Sequence, residues 1–282
     1  MGKRIVSGAA VTVLAAAVIL AGGTVMAAVL FVVSCIAYQE LCRAAGVCGK
    51  GKNNALKLLG WLFTLVYYLL LWMPAEGIDL IGKGELWQTM FLLLIGTLML
   101  MMAVYVLTFP RFRSEQVMAA FFCVIYAPVM LSFIYLTRQM QYGGYVVWLI
   151  FISSWVCDTC AYFTGMLLGK HKMAPVLSPK KTIEGAVGGV AGSAVAGALF
   201  SFLLAEQEIS SADAAWAFAA IGGVGAVISQ IGDLAASAIK RNHEVKDYGT
   251  CIPGHGGIMD RFDSVIFTAP IIYVMANILI GA

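Results

Sequence analysis

Long apolar runs recur along the chain at near-regular intervals, separated by short stretches where charged residues gather. Crossing a hydrocarbon core about 30 Å thick takes about 20 apolar residues of helix. By that measure the runs predict spans at 5-21, 24-41, 57-73, 87-108, 117-136, 145-168, 185-205, 214-232 and 264-281. The pattern is that of an all-α integral membrane protein with about nine transmembrane helices. The boundary between the first two spans rests on Gly22-Gly23-Thr24, because 5-41 is otherwise almost continuously apolar; one long tilted helix is the alternative. Lys3-Arg4 before an apolar run also has the form of a secretory signal. Hydrophobicity resumes at once with no clear cleavage site, so an uncleaved first span is expected.

The basic residues supply a topology. Of the 18 lysines and arginines, all but Lys83 and Arg138 fall on one side if the connections alternate across the bilayer. The positive-inside rule then puts the N-terminus in the cytosol and the C-terminus outside, with the polar loops 169-184 and 233-263 on the cytosolic face. Glu76, Asp79, Glu85, Glu206, Glu208 and Asp213 fall outside, as solvated loop residues.

Composition narrows the function classes. Hydrophobic residues make up 61% of the chain and charged ones 12%, with a mean hydropathy of +0.89, whereas soluble domains average about half apolar and about a quarter charged. A soluble enzyme is excluded on those grounds. The net charge of +3 comes from short clusters between apolar runs and makes no basic face for nucleic acid. The seven cysteines are an odd number; Cys35, Cys123, Cys157 and Cys160 sit within apolar stretches and read as reduced, buried thiols. Cys157 and Cys160 form a CxxC, but without the strand context of a redox motif it reads as packing. Thirty glycines concentrate in the seventh and eighth spans, where Gly185/Gly189 and Gly188/Gly192 are small-xxx-small pairs. Close helix packing is their first reading, and a dimer interface the second.

Polar residues are rationed in such a chain, so their clusters carry information. The densest runs from Gln230-Ile231-Gly232-Asp233 through Lys240-Arg241 and Lys246-Asp247 to Pro253-Gly254-His255-Gly256-Gly257-Ile258-Met259-Asp260-Arg261-Phe262-Asp263. Four aspartates (Asp233, Asp247, Asp260 and Asp263), four cations and a glycine-rich bend suit a polyphosphate: carboxylates hold Mg²⁺, cations neutralise phosphate oxygens, and glycine lets backbone N–H groups approach an anion. The second cluster runs Cys157-Asp158-Thr159, Gly169-Lys170-His171-Lys172 and Ser178-Pro179-Lys180-Lys181-Thr182-Ile183-Glu184-Gly185. At 1.5 Å per residue Asp158 lies about 16 Å inside the bilayer, where a charge costs about 2.5–3.5 kcal/mol. A polar cleft is one reason to keep it there, and satisfaction of neighbouring helix groups is another. Ser178-Pro179-Lys180-Lys181 is open to two readings as well, phosphate binding or an interfacial anchor before a helix start at Thr182-Ile183-Glu184.

The spacing Ser237-x-Ile239-Lys240-Arg241, Lys246-Asp247, Pro253-Gly254-His255-Gly256-Gly257-Ile258-x-Asp260-Arg261-x-Asp263 resembles the signature of the phosphatidate cytidylyltransferase (CDP-diacylglycerol synthase) family. Asp158-Thr159, Gly169-Lys170-His171-Lys172 and Ser178-Pro179-Lys180-Lys181-Thr182-x-Glu184-Gly185 resemble it too. Met166 departs from it, since members often carry arginine after the glycine matching Gly165. The resemblance implies a reaction of CTP with phosphatidic acid giving CDP-diacylglycerol and pyrophosphate, dependent on Mg²⁺, in a homodimer of the cell membrane. Residues 1-140 then form a transmembrane scaffold of about five spans, and 141-282 a catalytic region carrying both cytosolic loops.

The lipid phosphate is already ionised, so no serine or cysteine nucleophile is needed. Alignment with the α-phosphorus and charge neutralisation suffice. Asp233 and Asp260 are the expected metal ligands, and a second cation would bridge in the same way. Lys240, Arg241, Lys246 and Arg261 are expected on phosphates, with Asp247 and Asp263 orienting them or serving as ligands. His255 is expected on phosphate or pyrophosphate; His171 and His243 read as surface residues. Asp158, Lys170, Ser178, Lys180, Lys181, Gly254, Gly256 and Gly257 are expected to bind substrate. The rival readings are a nucleotidyltransferase or kinase for another lipid or polyprenyl phosphate, and an ion or solute transporter with Asp158 and Asp233 on its path.

Overall fold

A computed structural model describes residues 2–47, 54–78, 82, 85–202, 211–251 and 256–281. Among the described residues the chain folds into nine helices and one short hairpin. The helices are α1 (Gly2–Ala21), α2 (Gly23–Ala44), α3 (Ala55–Ala75), α4 (Leu86–Leu107), α5 (Ser114–Arg138), α6 (Gly143–Leu168), α7 (Ile183–Ser201), α8 (Ser211–Asn242) and α9 (Met259–Leu279). Eight of them, α2 to α9, are long and apolar enough to cross a membrane, while the apolar stretch of α1, Thr12–Ala21, is shorter. The chain is therefore a multi-pass, all-α membrane protein. Residues 5-41 are two helices. Gly22 and Gly23 break them apart with φ values of 60° and 45°, a left-handed conformation that glycine adopts without a Cβ penalty.

Two boundaries differ from the sequence reading. Helix α8 runs on to Asn242, beyond the expected end at 232. The polar stretch Asp233–Asn242 is rich in alanine, the best helix former, and ends in Lys240 and Arg241, whose charges complement the negative helix C-terminus. Helix α9 starts at Met259 with Asp260 in its first turn, where a carboxylate is favoured by the same dipole. The segment 169-184 is an antiparallel hairpin of β1 (Lys172–Ala174) and β2 (Ser178–Thr182), with Lys172 opposite Thr182.

The chain divides into two compact units. The N-terminal unit comprises Met1–Tyr135 together with Asn242–Arg261. Tyr38, Leu41, Leu56, Met101, Leu131, Ile134 and Tyr135 are fully buried in it. Two pairs of its intramembrane hydroxyls meet: Ser34 Oγ and Tyr68 Oη lie 2.8 Å apart, and Tyr67 Oη and Ser132 Oγ 3.2 Å. Asn54 caps α3 by accepting the Lys57 N–H at 2.9 Å. Helix α5 carries a π-helical turn at Ile125–Val129 around Pro128, which has no N–H to donate.

The C-terminal unit comprises Leu136–Arg241 and Phe262–Ala282. Helix α6 has a π-helical turn at Ile152–Val156, immediately before Cys157 and Asp158. Such a turn inserts a residue into the helical repeat and re-aims every side chain after it. Helix α7 lies directly on α6 through the glycines noted above. A Cβ at Gly188 would fall inside the Thr164 side chain, one at Gly192 inside Cys160, one at Gly189 2.9 Å from the Cys157 carbonyl oxygen, and one at Gly185 2.7 Å from that of Ala161. Their small-xxx-small pattern thus serves helix packing within the chain. Six cysteines are described and all are free: Cys42, Cys123 and Cys157 are buried, Cys35 and Cys160 half-buried, and Cys251 exposed.

Gly188→Ala should therefore cost about 1–3 kcal/mol, as overpacking does, and lower the unfolding midpoint of detergent-solubilised protein. Gly223→Ala should not, because its Cβ would meet Ala194 Cβ at an ordinary 3.5 Å while gaining helix propensity. Equal effects of the two changes would refute the glycine-dependent contact.

Candidate active site

In the C-terminal unit the hairpin is fastened at its base before it presents any charge. Glu184, in the first turn of α7, accepts the N–H groups of Lys170 and His171 at 3.1 and 3.2 Å and bonds His171 Nδ1 at 2.6 Å. Thr182 caps the same helix by accepting the Gly185 N–H at 3.1 Å. Its side chain fills the space left by Gly165 and Gly169, where a Cβ would approach Thr182 Oγ1 to 2.9 and 2.8 Å. The last strand residues before that cap are Lys180 and Lys181.

Lys181 forms an ion pair with Asp233 on α8, both side chains about a quarter exposed. Beside the pair lies a cavity of about 320 Å³ lined by Asp158, Lys180, Lys181, Thr182 and Gln230 among others. Asp158 is exposed there, and the Asp233 and Lys181 charges both act on it. Gln230 closes one wall, its amide nitrogen donating to the Ala186 carbonyl at 3.1 Å and reaching Cys157 Sγ at 3.4 Å. Asp263 on α9 feels the charges of Asp233, Lys240 and Asp158, and its Oδ1 accepts the Ser264 N–H at 2.8 Å. Three carboxylates thus interact electrostatically, with Lys181 and Lys240 acting on them. Ser178 is half-buried in β2; Lys170 and Arg241 are exposed.

In the N-terminal unit Asp260 is 8% exposed. Its Oδ2 accepts the N–H groups of Tyr248 at 2.8 Å and Gly257 at 3.0 Å, which folds the loop ahead of α9 around the carboxylate. Gly256 makes the tight turn at φ 84°, and a Cβ there would sit 2.9 Å from that same oxygen. Lys246, Asp247 and Arg261 are exposed around this loop. Gly254 and His255 lie outside the described residues. The sequence reading passed over Glu40 of α2, which is 2% exposed and accepts the Met259 N–H at 2.9 Å. Unlike Asp158, Glu40 lies close to the end of its expected span 24-41, where depth in hydrocarbon does not mark a carboxylate.

Among the described residues no three His, Cys, Asp or Glu side chains form a metal cage. Mg²⁺ seldom needs one, because it keeps waters and is held by one or two carboxylates plus substrate phosphates. Asp233 in the C-terminal unit and Asp260 in the N-terminal unit are each an oxygen donor of that kind.

The family model described as "Cytidylyltransferase family" matches residues 2–279. The chain belongs to that family, whose members transfer a cytidylyl group. Curated relatives include a phosphatidate cytidylyltransferase of Staphylococcus haemolyticus, 30% identical over 260 residues, and one of Staphylococcus saprophyticus, 32% identical over the same length; each match covers 92% of both chains. A phosphatidate cytidylyltransferase of Thermotoga maritima is 35% identical over 167 residues, covering 59% of this chain and 62% of its own.

Lys181→Met keeps the length of the side chain but leaves Asp233 without its partner beside the cavity. Cytidylyl transfer by this variant should fall at least about tenfold, the usual minimum for losing a group that orients a metal-binding carboxylate. Lys172→Met, exposed on β1 of the same hairpin, should stay near wild type. Parallel rate measurements check the pair, and equal losses would count against the cavity as the working site.

Proposed function

We propose that the chain transfers the cytidylyl group of CTP to phosphatidic acid, giving CDP-diacylglycerol and pyrophosphate for phospholipid synthesis at the cytosolic face of the cell membrane. The observation that carries this reading is the Lys181–Asp233 pair beside the Asp158 cavity, in a chain of the cytidylyltransferase family. A lipid phosphate needs cations and a place to rest at the membrane surface, and Lys180 and Lys181 supply charge at such a place. Its oxygen attacks the α-phosphorus of CTP, the bond to the bridging oxygen breaks, and pyrophosphate leaves. No proton need be removed from the nucleophile, so the work of the protein is alignment and charge neutralisation.

Lys240, Arg241, Lys246 and Arg261 neutralise the polyphosphate, and Asp247 and Asp263 orient those cations. His255, Gly254, Gly256 and Gly257 belong to the loop that meets the pyrophosphate; Lys170, Ser178 and Asp158 belong to the substrate side. Asp233 and Asp260 would hold Mg²⁺, which when bound neutralises charge developing on attacking and leaving oxygens. Gly185, Gly188, Gly189 and Gly192 of α7 are used against α6, so the proposed homodimer forms through another surface.

Pyrophosphate release by purified protein should require both CTP and phosphatidate. In Asp260→Asn, which keeps side-chain size and removes the charge, the rate should fall about a thousandfold, several kcal/mol of barrier. Release that ignores phosphatidate, or survives the substitution, would contradict the reading.

A further inference from the structure

Glu40 has no part in the chemistry assigned above, yet it is one of the most enclosed charged side chains among the described residues. A carboxylate withdrawn from water persists only where fixed donors replace that water. Here a donor comes from the segment ahead of α9. Glu40 Oε2 accepts the Met259 N–H at 2.9 Å, while Oε1 is buried against Gly249 with no hydrogen-bond partner among the described residues. Two glycines make room for it. A Cβ at Gly249 or at Gly257 would collide with the Glu40 carboxylate, so the loop grips that group from both sides. Gly257 in turn donates its N–H to Asp260. Two carboxylates therefore hold the ends of the Gly257–Met259 stretch, Asp260 of α9 at the Gly257 N–H and Glu40 of α2 at the Met259 N–H.

We infer that Glu40 is a positioning residue: it anchors Gly249 and the Gly257–Met259 stretch to α2 and so holds Asp260 in its working place. This rests on the assignment of Asp260 above. The anchor acts through reach, because its oxygen must meet the Met259 N–H at a fixed distance. Glu40→Gln keeps an oxygen at that distance and loses the charge. Glu40→Asp keeps the charge and draws the oxygen back by one methylene.

The test compares Glu40→Gln and Glu40→Asp in the purified full-length chain, with kcat and KM for both substrates. In parallel, alkylation of Cys251 by N-ethylmaleimide is followed by mass spectrometry. Cys251 is exposed, and its partial burial and the neighbouring Glu40 charge hold its thiol above the ordinary value. Its reactivity therefore reports whether the carboxylate remains in the loop. Glu40→Asp should lower kcat about 10–100-fold, as loss of an orienting group does, leave KM nearly unchanged, and alter Cys251 alkylation severalfold. Glu40→Gln should restore most of kcat, which also shows that the site still folds. A Glu40→Asp protein with wild-type kcat and wild-type alkylation would overturn the anchor. Altered alkylation with unchanged kcat would support the anchor and overturn the role of Asp260 instead.

A second comparison uses the glycine. Gly249→Ala should impair the wild type through its clash with Glu40 and cost little more in a Glu40→Ala background, the non-additivity expected of groups in contact. Losses that simply multiply would contradict the contact.

Discussion

Helices α6 and α7 approach so closely that Gly185, Gly188, Gly189 and Gly192 have no room for a side chain, and that approach limits where the hairpin between them can go. With the strands pinned by Thr182 and Glu184 at the start of α7, Lys180 and Lys181 are delivered to the edge of the cavity without a long flexible loop. A lysine carries considerable rotamer entropy, and a mobile loop would add the backbone share to what substrate binding must order. The hairpin has settled that ordering during folding. The π-helical turn at Ile152–Val156 complements it from α6, re-aiming Asp158 toward the same cavity.

The same economy governs the carboxylates. A chain with 12% charged residues can keep an acid inside an apolar helix only by supplying donors or a counterion. Asp233 takes the Lys181 ammonium, Asp260 takes two backbone N–H groups, and Glu40 takes the Met259 N–H. Hydrogen bonds from backbone amides are well suited to a group that must keep its charge, because they stabilise the anion without bringing a cation that would compete with metal or substrate. Asp260 Oδ2 is thus held in place by the Tyr248 and Gly257 N–H groups that it organises.

Much of this was legible in the residues, and for identifiable reasons. The spans follow from the length needed to cross hydrocarbon, which leaves little freedom once the apolar runs are seen. Asp158 was legible because a charge deep in a span is costly. The extension of α8 to Asn242 was not, because the expected end was placed where polarity begins, whereas Asp233–Asn242 keeps helical propensity beyond the apolar run. The hairpin was hidden for a related reason: Ser178-Pro179-Lys180-Lys181-Thr182 shows no alternation of apolar and polar residues, and its strands are defined by backbone pairing and by the glycines of the neighbouring helices. Glu40 stands close to the end of its expected span, so depth in an apolar run gives no signal for it. Its role depends on a loop more than 200 positions further along the chain, and spacing within a sequence cannot express that contact.

The central claim is that CTP gives up its cytidylyl group, not its terminal phosphate, to a lipid phosphate. Purified protein supplied with phosphatidate, Mg²⁺ and CTP labelled at either the α- or the γ-phosphorus tests it directly, by following label into the organic phase. The account predicts α-label in the lipid and γ-label in released pyrophosphate. Label from the γ-position in the lipid would make the protein a kinase and contradict the account, as would the absence of lipid label from either position in folded protein.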